Sequence, residues 1–461
     1  MQGAGGALLV PASLAIVGAS FEGKQRAKAI GAWGALSGTA MAVGPVLGGW
    51  LVEVVSWRAA FLIVPALASL AIPIALWHVP ESRDAAPRRP DLAGALLVTG
   101  GLAGLVYGLI ESSESGVGDP AVLVALTLGI LLLVAFVLVE RQSKDPMVPI
   151  SLFLSRAFGG ANLVTLLFYM ALTGSLYLLP FLMMQIHGYS AFVAGSVFLP
   201  FVALALLMGR LSGRICARFG ARAPLVVASL AVAVGLLLFA LPGAQHGSYW
   251  TSFFPAMVVQ GFGMALAITP LTTAVLGSVE SEHSGLASGI NNAVTRMAGL
   301  LAVASLGMVV STMFSANLDA RLEDMDLSRG IRTELEAAKA DLGAAEAPEG
   351  VAAVTEARIE RAIDESFVAG FRLVMLFSAG LALASALAAA LLVGGRKRSA
   401  NGTLRESYAG VEVQVLHTAS REVYATQGRR AARAIEVARG KQGAAAHEQR
   451  LPYAEESLAQ G

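Results

Sequence analysis

The chain has 461 residues, of which 56% are hydrophobic and only 14% are charged, and its mean hydropathy is +0.67. This composition excludes a soluble globular domain and is typical of a polytopic membrane protein. The net charge of +1 indicates no nucleic-acid partner, and one cysteine, Cys216, excludes an intramolecular disulfide. The six histidines have no metal-ligand spacing. We expect no metal, no cofactor and no nucleic acid.

Apolar windows long enough to cross a bilayer recur along the whole chain, since about 20 such residues suffice for a helix. Eleven windows lack a central carboxylate: 2–20, 29–51, 59–79, 92–110, 120–139, 158–181, 192–209, 223–241, 250–276, 285–312 and 367–393. The first residues have no basic start, so they predict a span rather than a cleavable signal peptide. The sequence therefore predicts an all-α polytopic membrane protein of the cell membrane with about 11 transmembrane helices.

The loops between these windows alternate in charge. Every second loop is rich in Lys and Arg, which is typical of cytoplasmic loops: Lys24, Arg26, Lys28; Arg83, Arg88, Arg89; Arg141, Lys144, Arg156; Arg210, Arg214, Arg218, Arg222; Arg396, Lys397, Arg398. The loop around Glu280 and Glu282 is the exception, because it has no basic residue. The intervening short loops contain Arg58 as their only basic residue, one of them carries Glu111, Glu114 and Asp119, and they are predicted to face outward.

Two charged segments are predicted outside the bilayer. Residues 313–366 read as a helical excursion on the outer side, and residues 399–461 as a mixed-charge cytoplasmic tail. Eleven spans with a cytoplasmic C-terminus place residue 1 outside. We expect three further spans upstream of this sequence, which would restore an inside N-terminus and an even count.

The second window contains an uncharged, glycine-rich run from Gly34 to Gly49. At 100° per residue, one stripe of this helix carries almost no side chains, so another helix can approach closely. Pro45 cannot donate to the carbonyl of Met41 and should bend the helix there. Ordinary small-residue helix packing is the alternative interpretation. The stripe consists of Gly34, Gly38, Met41, Ala42, Pro45, Gly48 and Gly49.

The run Gly44-Pro45-Val46-Leu47-Gly48-Gly49, preceded by Gly34 and Gly38, resembles the antiporter motif in the fifth span of drug:proton antiporters of the major facilitator superfamily. The chain to about residue 395 is similar to the fourteen-span EmrB/QacA-like branch, beginning at its fourth span. Further motifs follow in the family's order: Trp57-Arg58, Asp91 with Gly94, Gly188-Tyr189-Ser190, and Gly285 to Gly289 with Asn291-Asn292 and Arg296.

This resemblance implies the major facilitator fold with four segments. Residues 1–79 would complete the N-terminal bundle as spans four to six, and 80–157 would hold two linker spans. Residues 158–395 would form the C-terminal bundle, with the outer loop at 313–366, and 396–461 the tail. The segment with Gly213, Arg214, Arg218, Gly220 and Arg222 resembles the superfamily's cytoplasmic hairpin signature.

This hairpin departs from the family pattern, because Ala217 occupies the acidic position. The departure puts a charge relay there in doubt. The arginines alone also fit positive-inside topology.

Arg296 follows Gly285 by eleven residues, which is roughly 16 Å along a helix and near the bilayer centre. A central arginine costs about 2.5 to 3.5 kcal/mol on insertion scales, so it should face protein or a water-filled cavity. One interpretation is a guanidinium bonded to carbonyl groups of a neighbouring helix. The other is a cavity residue that senses protonation or orients substrate.

Other polar residues interrupt apolar helices and are candidates for the lining of a cavity. Such groups beside methionines and aromatic residues suit a permissive site for amphiphilic molecules. Each could instead bond across helices to hold the bundle together. With Arg296, the candidates are Asn162, Tyr169, Gln185, Gln260, Asn291 and Asn292.

No Asp or Glu occupies the middle of any predicted span, although proton coupling needs an embedded group that exchanges its proton. The resemblance implies an acidic residue in the family's first span, which this sequence does not contain. The sequence therefore names no proton carrier.

The sequence is interpreted as a non-enzymatic secondary transporter that exports a small amphiphilic substrate in exchange for protons, by rocking of two helical bundles in the lipid bilayer. One alternative keeps the fold with a metabolite such as a sugar, peptide or siderophore as cargo. Another is a transport-inactive membrane fragment or sensor. The sequence indicates no oligomeric state.

Overall fold

The computed structural model describes residues 43–79, 91–143, 146–243, 248–279, 284–323, 325, 327–348 and 351–394, with isolated positions before residue 41. Most of the first two predicted spans, the basic residues of the second loop and the tail lie outside the described residues. The chain divides into two units, Met1–Arg396 and Lys397–Gly461. Only the first contains described residues.

Every regular element in the described part of the chain is a helix. Helix α6 (Arg156–Phe181) continues as a π-helical turn at Leu182–Ile186, and α14 (Arg329–Ala338) as a 3₁₀ turn at Lys339–Ala344. The helices are α1 (Val43–Val54), α2 (Trp57–His78), α3 (Leu92–Ser115), α4 (Pro120–Gln142), α5 (Ile150–Leu154), α6 (Arg156–Phe181), α7 (Ala191–Ser196), α8 (Leu199–Leu207), α9 (Gly209–Phe219), α10 (Arg222–Phe239), α11 (Tyr249–Ser252), α12 (Phe254–Leu276), α13 (Ser284–Glu323), α14 (Arg329–Ala338) and α15 (Ala353–Leu392).

Eight of these helices are long and apolar enough to cross a membrane, and the bent pair Ala191–Leu207 and Leu211–Phe219 would add a ninth. They coincide with nine of the eleven predicted windows, and the other two fall mainly on residues that are not described. The predicted all-α polytopic fold is confirmed.

Local chemistry explains several helix starts. The Asp91 carboxylate accepts a hydrogen bond from the Gly94 N–H and caps α3, and Asp119 does the same for Ala121 at the start of α4. Pro120 fits the first turn of α4 because that position needs no donor. Ser56 caps α2. Because these caps satisfy orphan N–H groups, they place the helix ends at defined residues.

Six spans form one bundle built from α6, α8, α10, α12, α13 and α15. Glycines allow its helices to approach closely: a Cβ on Gly261 would lie 2.7 Å from Phe201 Cα, and one on Gly263 would lie 2.8 Å from the Ala228 carbonyl oxygen. Helices α3 and α4 form a separate hairpin that touches this bundle through α13. The helices of the bundle lie between Arg156 and Leu392.

The segment predicted as an excursion, 313–366, contains the ends of two long helices in the structure. Helix α13 continues to Glu323 and α15 begins at Ala353, so the segment between the two long helices comprises residues 324–352. Its helix α14 buries Leu335 in the bundle core, and Lys339 forms ion pairs with Asp319 of α13 and with Glu336. The excursion is thus packed against the ends of the long helices, because it has an apolar anchor, Leu335, and a half-buried cation, Lys339.

Candidate functional site

Helix α1 meets α7 backbone to backbone. A Cβ added to Gly49 would collide with the carbonyl oxygen of Ala191 and lie 2.8 Å from its carbonyl carbon. A Cβ added to Gly195 would lie equally close to the carbonyl carbon of Pro45. The two helices can approach this closely only because both positions lack a side chain. The glycine-rich run therefore contacts the span that begins at residue 191.

Glu53 strengthens the same contact. Its Oε2 accepts a hydrogen bond of 2.9 Å from the backbone N–H of Phe192, in the first turn of α7. The hydroxyl of Ser190, the N-cap of α7, also interacts with this carboxylate. Glu53 follows the predicted span 29–51, and these two hydrogen bonds lower its pKa below the ordinary value. The carboxylate thus joins α1 to α7 most firmly when it is ionised.

The other residues of the glycine-rich run differ from Gly49. No described atom lies within 4 Å of a Cβ placed on Gly44 or Gly48. Gly34 and Gly38 lie outside the described residues. Among the described part of the predicted stripe, the close backbone contact therefore involves Pro45 and Gly49, and Gly48 does not take part in it.

A cavity of about 710 Å³ lies between α6 and α13. Tyr177 and Phe181 line it from α6, and Ile110 of α3 contributes from one side. From α13 come Val303, Ala304, Gly307, Val310, Ser311 and Ser315. The volume is in the range of pockets for drug-sized molecules, and the lining combines aromatic and aliphatic groups with a few hydroxyls.

The excursion contributes polar groups to this cavity. Glu336, Lys339 and Leu342 line it from α14 and the 3₁₀ turn. Burial opposes the charge of Lys339, but hydrogen bonds with Asp319 and Glu336 outweigh it and raise the pKa of the ammonium above its usual value. Lys339 therefore stays charged at neutral pH and holds the excursion to α13 beside the cavity.

Arg296 lies on the cavity face of α13. Spacings of seven, eleven and fifteen residues place it on the same side as Val303, Gly307 and Ser311. It is about 10 Å along the helix from Val303. The side chain is exposed, and no hydrogen bond or ion pair joins it to another described residue. Among the described residues, Arg296 therefore has no carbonyl partner of the kind that the first sequence interpretation expects.

Asn162 and Asn291 form a different kind of site. The Asn291 amide donates to Asn162 Oδ1 at 3.3 Å and to Thr165 Oγ1 at 2.9 Å, and the Asn162 amide donates to the Phe158 carbonyl. Asn162 and Thr165 are buried. This network joins α6 to α13 and satisfies polar groups between helices, as the alternative interpretation of these residues describes.

The remaining candidates are spread through the bundle. Gln260 is fully buried and donates to Ser175 Oγ at 2.7 Å. Tyr169 is half-buried and lies two turns from Tyr177 on one face of α6. Gln185, in the π-helical turn, faces Gly343 of the excursion. Asn292 is exposed and bonds within its own helix to the Ser288 carbonyl.

These seven residues do not share one cavity. Asn162 and Gln185 alone are roughly 35 Å apart along the helix, since 23 residues separate them. None of the seven is among the residues that line the cavity. It places Asn162, Asn291 and Gln260 in bonds between helices.

The basic hairpin lies at the end of α9 and the start of α10. Arg214, Arg218 and Arg222 are exposed, and the Arg218 guanidinium lies over the Phe219 ring at 5.3 Å. Gly220 has a φ of +77°, which only glycine adopts readily, and ends α9. Gly213 lies within α9 with no described atom near a Cβ placed on it. The tight turn after α9 thus rests on Gly220.

Sequence reasoning missed Glu53 and the proximity of Asp91 to Glu140. Glu53 is the only acidic residue between Glu22 and Glu81, a signal that could have drawn attention to it. Glu140 ends an apolar span and is nevertheless buried, which its position beside Arg141 does not suggest. The contact of Glu53 with Phe192 and that of Asp91 with Glu140 each join segments that are far apart in the sequence.

Comparisons of the chain with protein families and with individual known proteins agree with one another. Residues 1–303 match the Major Facilitator Superfamily. The chain is similar to "Multidrug resistance protein Stp" of Mycobacterium tuberculosis, with 33% identity over 70% of this chain and 60% of that protein. It is also similar to "Puromycin resistance protein pur8" of Streptomyces alboniger, with 35% identity over 69% and 64% of the two chains.

A third relative, "Tetracenomycin C resistance and export protein" of Streptomyces glaucescens, is 27% identical over 84% of this chain and 72% of its own. The chain spans about 60% of the length of the Mycobacterium tuberculosis relative. The superfamily match covers well over half of the chain, and nine helices fit the spans predicted from hydropathy. The chain therefore belongs to the major facilitator superfamily and is a multi-pass protein of the cell membrane.

Proposed function

We propose that the protein is a proton-coupled efflux antiporter of the fourteen-span branch, exporting small amphiphilic molecules. The observation that carries this proposal is the cavity between α6 and α13. Its aromatic and aliphatic walls suit an apolar body, and the hydroxyls of Ser315 and Tyr177 offer a few polar contacts. This is the lining expected for a site that accepts varied amphiphiles.

The contact between α1 and α7 supports an alternating-access mechanism. It joins the segment 1–79 to the bundle 158–395 through small, rigid backbone contacts and one carboxylate. Two-bundle transporters move by rocking such units about a central site. In the proposed cycle, this contact is present when the predicted outer side is closed and breaks when that side opens.

The names of the relatives support export of toxic small molecules, since they describe multidrug, puromycin and tetracenomycin C resistance. Proton coupling rests on the resemblance of the run Gly34 to Gly49 to the antiporter motif. The four-segment organisation, with linker spans at 80–157, is part of the same proposal. The protein would act without a cofactor and would not be an enzyme.

The test is transport in everted membrane vesicles from cells that express the complete reading frame containing residues 1–461. A pH-sensitive dye reports the proton gradient while aromatic amphiphiles, puromycin among them, are added. We expect each transported compound to dissipate the gradient, and radiolabelled puromycin to accumulate in the vesicles. Accumulation that survives collapse of the proton gradient would exclude proton coupling. Binding of the compounds without accumulation would favour a sensor.

A further inference from the structure

Two carboxyl groups meet at the ends of α3 and α4, in the linker hairpin and away from the cavity. A Cβ placed on Gly94 would lie 3.0 Å from Asp91 Cγ and 3.0 Å from Glu140 Oε1. Two distances of 3.0 Å from one point allow at most 6.0 Å between their ends. Asp91 and Glu140 therefore face each other across the bare backbone of Gly94, and their charges interact.

Neither carboxyl group is satisfied. Glu140 is only 2% exposed, and both of its oxygens lack a hydrogen-bond partner among the described residues. Asp91 uses Oδ1 to cap α3 through the Gly94 N–H, but its Oδ2 is buried and also lacks a partner. The backbone N–H groups of Val148 and Met147 interact with the Glu140 carboxylate, but neither reaches the geometry of a formed hydrogen bond. Such orphaned oxygens are costly and indicate a missing donor.

The charged groups around this pair do not supply that donor in the described structure. On α4, Arg141 is exposed, and Asp119 lies at the opposite end of the helix. On α3, Glu111 is also at the far end. Helix α5 and residues 146–149 carry no charged side chain.

Of the other packed elements, α6 begins with the exposed Arg156. Helix α13, which packs on α3, carries Arg296, Asp319, Arg321 and Glu323. None of these groups is hydrogen-bonded or ion-paired to Asp91 or Glu140 in the described structure. Residues 80–90, Lys144 and Asp145 lie outside it.

Two ionised carboxylates at this distance repel each other, and because Glu140 and the Oδ2 atom of Asp91 are buried, the neutral form of one is favoured. A proton on one group removes one charge. It also provides an O–H donor for an oxygen of the other, which removes the orphaned acceptor. Carboxyl pairs that share a site behave in this way as a unit.

We propose that Asp91 and Glu140 form a proton-binding site that holds one shared proton at neutral pH. The site is independent of the substrate cavity and does not rest on the proposed transport activity. Binding the proton holds the start of α3 to the end of α4. The close approach of Gly104 to Gly129 joins the same two helices further along their length. Loss of the proton at alkaline pH leaves two negative charges in the buried site and loosens this end of the hairpin.

Infrared difference spectroscopy of the purified protein tests the proposal directly. We expect a C=O stretching band of a protonated carboxyl group at neutral pH that disappears when the pH is raised. The band should be absent from Glu140→Gln and from Asp91→Asn, in which asparagine still caps α3. It should persist in Glu356→Gln, a matched control at an exposed carboxylate of α15.

A second measurement, the stability of the protein as a function of pH, tests the proposal even if one of the two variants folds poorly. The folded protein would bind one more proton than the unfolded chain, so its stability should fall as the pH rises from neutral to alkaline. This loss should shrink in Glu140→Gln or Asp91→Asn, whichever is better folded. A spectrum without a protonated carboxyl band at neutral pH overturns the proposal. So does a band that appears only after sodium and potassium are removed, which would assign the site to a cation.

Discussion

The carboxylate of Glu53 accepts a hydrogen bond of 2.9 Å from the backbone N–H of Phe192, which lies 139 residues further along the chain. The bond joins the last turn of the glycine-rich helix α1 to the first turn of α7, directly beside the contact between Gly49 and Ala191. The Glu53 carboxylate therefore adds a charged hydrogen bond to a contact in which the two backbones are already as close as glycine allows. If the two bundles separate during transport, this bond must break.

Replacing Glu53 with alanine should loosen α1 from α7, because the Phe192 and Ser190 donors lose their partner. Spin labels at Val54 and Val193, both exposed, report the separation in a Cys216→Ser background. We expect a narrow distance distribution in the parent protein and a broader, longer one in Glu53→Ala. An unchanged distribution would show that the glycine contacts alone hold the two helices.

The same contact should depend on pH in a defined direction. The hydrogen bonds lower the pKa of Glu53 below its ordinary value of 4.5. The ionised carboxylate thus stabilises the contact fully above that value, and the stabilisation is lost as the pH falls through the lowered pKa. Spin-label distances should stay constant near neutral pH and lengthen only in acid. Glu53→Gln should remove the acid-induced change. Because its pKa is lowered, Glu53 is not expected to carry the coupled proton at neutral pH.

Gly49 and Gly48 form a matched pair for testing the glycine-rich run. Gly49→Ala places a methyl group against the Ala191 carbonyl, and overpacking of this kind costs about 1 to 3 kcal/mol. We expect strongly reduced efflux from Gly49→Ala with normal membrane abundance. Gly48→Ala should transport normally, because no described atom lies near its new methyl group. Equal losses in both variants would mean that the run acts through general helix packing.

Arg296→Ala should reduce transport more than it reduces the amount of folded protein. A hydrogen bond to a charged group contributes about 1.5 to 3 kcal/mol, so transport efficiency should fall roughly ten- to a hundred-fold if the guanidinium contacts substrate. Arg296→Lys keeps the charge without the planar fork and should recover part of the activity. The measurement is efflux normalised to membrane abundance. Parallel loss of protein and transport would assign Arg296 a structural role.

Asn291→Ala should behave in the opposite way. It removes the hydrogen bonds to Asn162 and Thr165 between α6 and α13, which are worth about 0.6 kcal/mol on average in membrane helices and up to about 1.7. We expect a lower unfolding temperature in detergent and a proportional loss of transport. Asn292→Ala is the control, since its side chain bonds only within its own helix. A transport defect in Asn291→Ala at unchanged stability would instead favour the interpretation of Asn291 as a cavity residue.

The membrane orientation can be tested with a matched pair of cysteines. Ala344 in the excursion and Ala217 in the basic hairpin are both exposed. In a Cys216→Ser background, a membrane-impermeant maleimide should label Ala344→Cys in intact cells and Ala217→Cys only after the cells are opened. Labelling of Ala217→Cys in intact cells would reverse the predicted orientation of the bundle.

Hydropathy alone predicted the helical class and the nine spans that the structure describes, because a bilayer requires long apolar segments whatever their neighbours are. The same local information placed helix starts near Asp91 and Asp119. Charge marked residues 313–366 as an excursion, and within this range the structure continues α13 to Glu323 and begins α15 at Ala353.

What the sequence by itself determined is the class of protein and the chemistry of its segments: apolar helices, a small-residue run and a few embedded polar groups. Tertiary structure decided which of these groups meet. Gly48 and Gly49 point 100° apart around α1, so they face different neighbours, and of the two only Gly49 contacts another backbone. Asn162 and Gln260 are polar like Arg296, but packing supplies the first two with partners and leaves Arg296 exposed. The approach of Glu53 to Phe192 and of Asp91 to Glu140 depends on helix packing across segments, which no local pattern encodes.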